Sequence, residues 1–272
     1  QTCALPISLP RVLNRDIGIM SNVRMSNGKK VCKGAKQAFT HHFLTGHQDI
    51  GHLLGGMNMA NYCANSIVFY SKRKKPLEEI RQLVSKCLGD RKLNSIKQFL
   101  KFCGLPKVAN GEYCDGRDYF ANCDANVEKD TAGYYLRVDT ESAWNPNMTA
   151  LEYMLKAKYN GTVKMVYQSE EPGCEVYINS DKLGIYFTDR YIVDYSYQGN
   201  GDTYYFTWWK EAVEFLNTTF PKANLGYDED LEKAGKKITE TYNFSEKNGD
   251  YFRFNKFEDD TKIFMKPKID KE

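Results

Sequence analysis

Tyr134-Tyr135-Leu136-Arg137-Val138-Asp139-Thr140 runs into Ala143-Trp144-Asn145-Pro146, then an apolar-periodic segment to Tyr159, then Thr162 to Gln168 and Glu170-Glu171-Pro172-Gly173. An aromatic and β-branched run, a Pro-marked turn, an i, i+3, i+4 pattern and a second alternating run spell strand, helix, strand. Leu136 and Val138 point one way and Tyr135, Arg137 and Asp139 the other, as expected of a sheet covered on one face. Leu151, Met154, Leu155 and Tyr159 form one helical stripe, with Asn147 or Thr149 able to cap its start and Asn160-Gly161 to end it. Val163, Met165 and Tyr167 alternate in the next strand, which Pro172-Gly173 stops. Trp144, between strand and helix, is expected to fill the corner of the core, with Pro146 and Gly173 as structural turn residues.

At these residues the chain resembles the YubB-type ferredoxin-like domain of plasmid and phage proteins. The resemblance lies in the strand running into Ala143-Trp144-Asn145-Pro146, the helix after it, and the strand ending in Glu170-Glu171-Pro172-Gly173. Met59-Ala60-Asn61-Tyr62-Cys63-Ala64-Asn65-Ser66 is similar to the short Met-Pro-Asn-aromatic-Cys opening of that family, with Ala60 where Pro is usual and Tyr62 where Trp is usual. Covering roughly 59–200, the resemblance implies a fold and a mobile-element setting; the family brings no established activity.

The remaining strand signals extend that fold. Cys174 to Ile178, Ile185 to Phe187 and Arg190 to Tyr197 read as antiparallel strands, Gln198 to Asp202 as a turn, Tyr204 to Phe220 as passing into a helix, and Tyr251 to Phe257 as a last strand. The fold class is thus α+β: a ferredoxin-like βαββαβ antiparallel sheet over 134–258, with an N-terminal strand and two-helix extension over 59–133 that packs on it. In that extension residues 66–71 read as a strand. Leu77, Ile80, Val84 and Cys87 mark one helix, and Leu93, Ile96, Phe99, Leu100 and Cys103 a second one capped by Asp90. Residues 104–133 are a long Gly- and Asp-rich connection. Residues 228–241 form a further amphipathic helix, and 259–272 a charged tail.

Residues 1–58 differ from the rest in charge and in their adapter-like start, Gln1 to Ile7. They read as a non-native upstream read-through or a disordered extension, with Met59 as the expected initiator. Residues 59–272 hold 31 Lys and Arg against 33 Asp and Glu, so they lack the broad positive field on which non-specific nucleic-acid binding relies. No apolar run is long enough to span a membrane, and the first residues do not read as a signal peptide.

Candidate sites fall into three sets. Tyr135, Arg137, Lys164, Tyr167, Tyr177, Tyr195 and Tyr197 would form a base-stacking platform if they shared an open sheet face. Asp139, Glu141, Glu170 and Glu171 are the carboxylates available for acid–base hydrolysis. Cys103, Cys114 and Cys123 bracket a loop, but there is no C-x-x-C pair, so reduced thiols are expected and neither metal nor cofactor. All four histidines precede residue 59, which leaves the body without a Ser-His or Cys-His pair. The reading is a cytoplasmic, non-catalytic module that binds a protein partner. Single-stranded nucleic-acid binding and a carboxylate-based hydrolase are the alternatives. The helices at 148–159 and 209–219 are expected on one sheet face, and the N-terminal helices over the tyrosines on the other.

Overall fold

Tyr62–Ser71 is the strand around which the larger sheet assembles. In the computed structural model, which describes residues 62–109 and 117–259, the elements run β1 (Tyr62–Ser71), α1 (Lys74–Leu88), α2 (Ile96–Phe102), α3 (Pro106–Ala109), β2 (Asp118–Cys123), β3 (Glu128–Lys129), β4 (Tyr134–Ala143), α4 (Thr149–Tyr159), β5 (Val163–Glu171), β6 (Val176–Asn179), β7 (Tyr191–Tyr197), β8 (Asn200–Phe206), α5 (Trp209–Thr219), α6 (Leu231–Tyr242) and β9 (Tyr251–Lys256). The expectations for residues 1–58, Cys114, the four histidines and residues 260–272 concern positions outside the described residues.

β1 pairs antiparallel on both edges, with β4 over its whole length and with β5 from Ala64 to Ser71. The sheet order is β2-β4-β1-β5-β6, and β3 pairs with the start of β4. A central strand must be apolar towards both faces, and Ile67, Val68 and Phe69 are all buried. On the inner face Ile67, Phe69, Leu136, Val138, Val163 and Tyr167 meet Leu77, Ile80 and Val84 of α1, Ile96, Phe99 and Leu100 of α2, and Leu151, Met154 and Leu155 of α4. Each such side chain contributes roughly 1.5–3 kcal/mol by leaving water.

A polar lock sits at one end of that face. Asn65 is fully buried, and its Nδ2 donates to the Cys63 and Thr140 carbonyls and to Ser142 Oγ, while its Oδ1 accepts from Ser169 Oγ at 2.7 Å. One amide thereby ties β1 to β4 and to β5, and satisfied buried amides specify register because any slip strands them.

The second sheet has order β8-β7-β9. Its β7–β8 turn uses Gln198 and Gly199, both at positive φ (51° and 75°), as a two-residue hairpin requires. Val193 and Phe254 pack under Ala212, Val213 and Leu216 of α5 and Ala234 and Ile238 of α6. Asp230 caps α6 by accepting from Lys233 N at 2.8 Å. The sheets join where Asn179 N donates to Glu258 O and Glu258 N donates to Tyr177 O, so the chain after β9 covers the free edge of β6.

The antiparallel α+β class agrees with the sequence, but the strand order differs from a βαββαβ sheet over 134–258. β1 is no peripheral extension; it separates β4 from β5, and β7 to β9 form a sheet of their own. α1 and α2 share the inner face with α4 instead of covering the tyrosines. Part of the 104–133 connection is β2, paired with β4. Tyr204 to Phe206 are strand, because the tight turn at 198–199 returns the chain alongside β7. Residues 185–187 are not a strand. Ser95, not Asp90, caps α2, and Asn147 is engaged with Asp118 at 2.8 Å, leaving α4 without a side-chain cap.

Trp144 is also corrected. It is 43% exposed, with φ 68°, while neighbouring Pro146 is buried. The left-handed turn that swings the chain from β4 to α4 carries the indole to the surface, and an L-residue there stores about 1–2 kcal/mol.

Trp144→Gly is therefore expected to keep or raise stability, by up to about 1 kcal/mol in urea unfolding; a loss of about 3 kcal/mol would restore the core-anchor reading. Asn65→Ala, which removes the acceptor of the buried Ser169 hydroxyl and the shared donor to the Cys63 and Thr140 carbonyls and Ser142 Oγ, is expected to cost about 3 kcal/mol in the same assay. A loss below about 0.5 kcal/mol would show that Asn65 does not hold the register.

Candidate functional site

Register alone determines which candidates share the outer face of the larger sheet, since cross-strand partners point the same way. One row runs Tyr119–Glu141–Ala64–Glu170–Tyr177, the next Asp139–Ser66–Gln168–Asn179, then Arg137–Val68–Val166 and Tyr135–Tyr70–Lys164. Tyr135, Arg137 and Lys164 are thus brought onto the same face as Asp139, Glu141 and Glu170. It has a basic, aromatic end and an acidic end.

The small side chains of Ala64 and Ser66 on the central strand leave a trough between flanking carboxylates. Ser66 Oγ donates to Asp139 Oδ1 at 2.8 Å and Asn122 Nδ2 to Asp139 Oδ2 at 3.4 Å. Across the trough Glu170 accepts from Gln168 Nε2 at 3.1 Å and from Tyr205 OH at 2.9 Å. Burial pushes the Glu170 carboxyl above its ordinary 4.5, against the two hydrogen bonds that favour its ionised form. Burial and the facing Glu170 together drive the Tyr205 phenol upward. Tyr62 and Tyr119 are exposed on this acidic end, and Trp144 follows Ala143, the register partner of Tyr62.

The opposite end is roofed by the 180–190 segment. Asn179 donates to the carbonyls of Phe187 and Asp189, and Asp181 Oδ2 accepts from Tyr186 N and Phe187 N. The Tyr186 ring thereby comes to rest 5.6 Å from both Tyr70 and Tyr135, with its hydroxyl on Asp130 at 3.1 Å. Arg137 lies 5.8 Å from the Tyr135 ring and 6.0 Å from that of Phe187.

The other candidates are dispersed. Tyr167 is 2% exposed and belongs to the inner core, and Tyr177 is buried against Phe257. Tyr195 and Tyr197 lie in the second sheet, where Tyr195 meets Phe220 and Tyr197 meets Phe220, Tyr242 and Phe244. No shared stacking platform forms, because these tyrosines divide between two sheets and two faces. Glu171 is buried with the inner-face residues and accepts from Gly173 N at 3.1 Å, shaping the turn after β5.

Burial pushes the Cys63, Cys103 and Cys123 thiols up to about 12 and Cys87 to about 11, so they stay protonated and unreactive. Among the described residues no three His, Cys, Asp or Glu are grouped to hold a metal ion, and no helix is long and apolar enough to cross a membrane.

Residue type alone did not single out Tyr186 or Tyr205. The Asn179-Ser180-Asp181 cluster before Tyr186-Phe187 was the available signal, since short polar side chains that bond to nearby backbone build irregular loops. Nothing local marks Tyr205, whose partner is 35 residues away. No family model matches the chain, and no curated protein or solved structure is similar to it.

A carboxyl whose folded pKa stands above its unfolded value binds its proton more tightly in the fold. Its contribution is complete below about pH 4.5 and is lost as pH rises through the folded value. Glu170→Gln removes that loss, so urea unfolding from about pH 4 to about pH 8 should show the variant gaining on the native protein as pH rises. A stability difference independent of pH would place Glu170 in water.

Proposed function

We propose that this chain is a non-catalytic partner-binding protein whose outer sheet face receives a basic segment of another protein. The observation that carries this reading is the row Glu141–Ala64–Glu170, in which a small residue on the central strand leaves room between two carboxylates. Asp139 stands in the neighbouring row, and Tyr62, Tyr119 and Trp144 are exposed at the same end. Lysine or arginine side chains entering the trough would make charge-assisted hydrogen bonds, with exposed aromatics as anchors at the rim.

The nucleic-acid reading is less well supported, since Tyr186 occupies the ring faces beside Tyr135 and the open end would repel phosphate. A carboxylate-based hydrolase stays as the second reading because burial raises the Glu170 carboxyl. Glu141 and Glu170 stand two strand spacings apart, roughly 10 Å between backbones, which is compatible with an acid–base pair after side-chain reach.

The ferredoxin-like reading is supported by β1, α1, β2, β4, α4 and β5, with α2, α3 and β3 inserted among them, in the spatial order β5-β1-β4-β2, which runs over 62–171 in place of 134–258. The YubB-type assignment and the phage or plasmid setting rest on the resemblance at Met59–Ser66 and in the strand, helix and strand of 134–173, and the cytoplasmic location stays a reading of the sequence.

Fluorescence anisotropy at physiological salt tests the reading with a short Lys- and Arg-rich peptide, a Glu-rich counterpart and a single-stranded oligonucleotide. The basic peptide should bind best, and Glu141→Gln with Glu170→Gln should weaken it roughly tenfold. Preferred binding of the oligonucleotide would overturn the proposal. Glycoside hydrolysis lost in the same variants would put the second reading first.

A further inference from the structure

Leu183 and Ile185 are the exposed large aliphatic side chains among the described residues, at 83% and 56% exposure. They flank Gly184, whose φ of 64° suits the tight turn at the tip of the 180–190 segment. Polar bonds below hold the tip in that place. Gly184 N donates to Asp181 O at 3.0 Å, Asp181 Oδ2 accepts from Tyr186 N and Phe187 N, and the Arg190 guanidinium donates to the Asp181 carbonyl. A loop fixed in this way keeps both aliphatic side chains in water unless another segment covers them.

The chain after β9 runs to this loop. Glu258 pairs with Ile178 in the parallel sense, so the backbone advances in the direction of β6, which leads into residue 180. Asp259 then meets Lys182, Oδ2 to Nζ at 3.5 Å, one residue before Leu183. The described residues end there, and the sequence goes on as Asp260-Thr261-Lys262-Ile263-Phe264-Met265-Lys266. Ile263, Phe264 and Met265 make a short apolar run with a lysine on each side. An extended chain covers at most about 3.3–3.6 Å per residue, so Ile263 lies within roughly 14 Å of Asp259 and its ion pair.

We propose that the apolar run at 263–265 docks on Leu183 and Ile185 of the same chain and fastens the 180–190 segment over the aromatic end of the outer face. The occupant is this run because it follows an ion pair beside the loop, and so short a tether holds it at an effective concentration on the order of millimolar. Lys262 and Lys266 stay in water while the three apolar side chains are covered. The Tyr186 ring, 5.6 Å from Tyr70 and Tyr135, is then held from above as well as through Asp181. The docking does not depend on what the acidic end binds.

A double-mutant cycle in the full chain tests this, with Leu183→Ser plus Ile185→Ser on one side and Ile263→Ser plus Phe264→Ser on the other. Each pair should lower the thermal unfolding midpoint by roughly 2–4 °C, and all four changes together should lower it no further than either pair does. Additive losses, or no loss from either pair, would overturn the docking. Trypsin cleavage after Lys262, followed by mass spectrometry, should quicken severalfold in the Leu183 and Ile185 variant, whose exposed positions leave the fold intact. An unchanged cleavage rate would overturn it as well. A midpoint that rises with protein concentration, together with a dimer in light scattering, would give the loop to the run of a second copy and overturn docking within one chain.

Discussion

The double-sided hydrogen bonding of β1 is the constraint on which the rest of the structure depends. Ten residues near the start of the described chain pair with β4 on one edge, and eight of them, Ala64 to Ser71, pair with β5 on the other, so neither neighbour reaches its place until β1 lies between them. Asn65 gives that insertion its register, because one buried amide serves acceptors or donors on β1, β4 and β5 together. A shift by one residue would move Ile67 and Phe69 off the helix-covered face and leave the amide unpaired.

From that register follows the division of the outer face. The same pairing that turns Leu136, Val138 and Tyr167 inward turns Arg137, Asp139, Glu141 and Glu170 outward, and the small residues Ala64 and Ser66 fall between the carboxylates. The 180–190 segment then closes the aromatic end through Asn179 and Asp181, while Tyr205 leans from the second sheet onto Glu170. What stays accessible is acidic with an aromatic rim. The chemistry of the face comes from what covers its neighbours as much as from its own residues.

The second sheet has a separate core, in which Phe220 meets Tyr195, Tyr242, Phe244 and Phe252. Tyrosines that look like ligand contacts in a list of strand residues are spent there on edge-to-face packing under α5 and α6. The bridge at Ile178 and Glu258 fastens the two sheets edge to edge.

Patterns of period 2 and 3.6 were legible in the sequence because they are properties of neighbours along the chain. The stripe Leu77, Ile80, Val84 and Cys87, the stripe of α4, the alternation of β4 and the turn after Tyr197 all stand where their spacing puts them. The consecutive apolar residues Ile67, Val68 and Phe69 are a local mark of a strand covered on both faces, and the structure buries all three. Which strand lies between which others, which face a loop roofs, and whether an aromatic run such as Tyr204 to Phe206 extends or coils depend on contacts dozens of residues apart. Those contacts gain their free energy only after the chain has closed on itself. Composition and spacing therefore determined the helices, most of the strands and the α+β class, and tertiary pairing decided where β2 and β8 form, that Trp144 faces water, that the tyrosines part company, and that Glu141 and Glu170 flank Ala64 in one row.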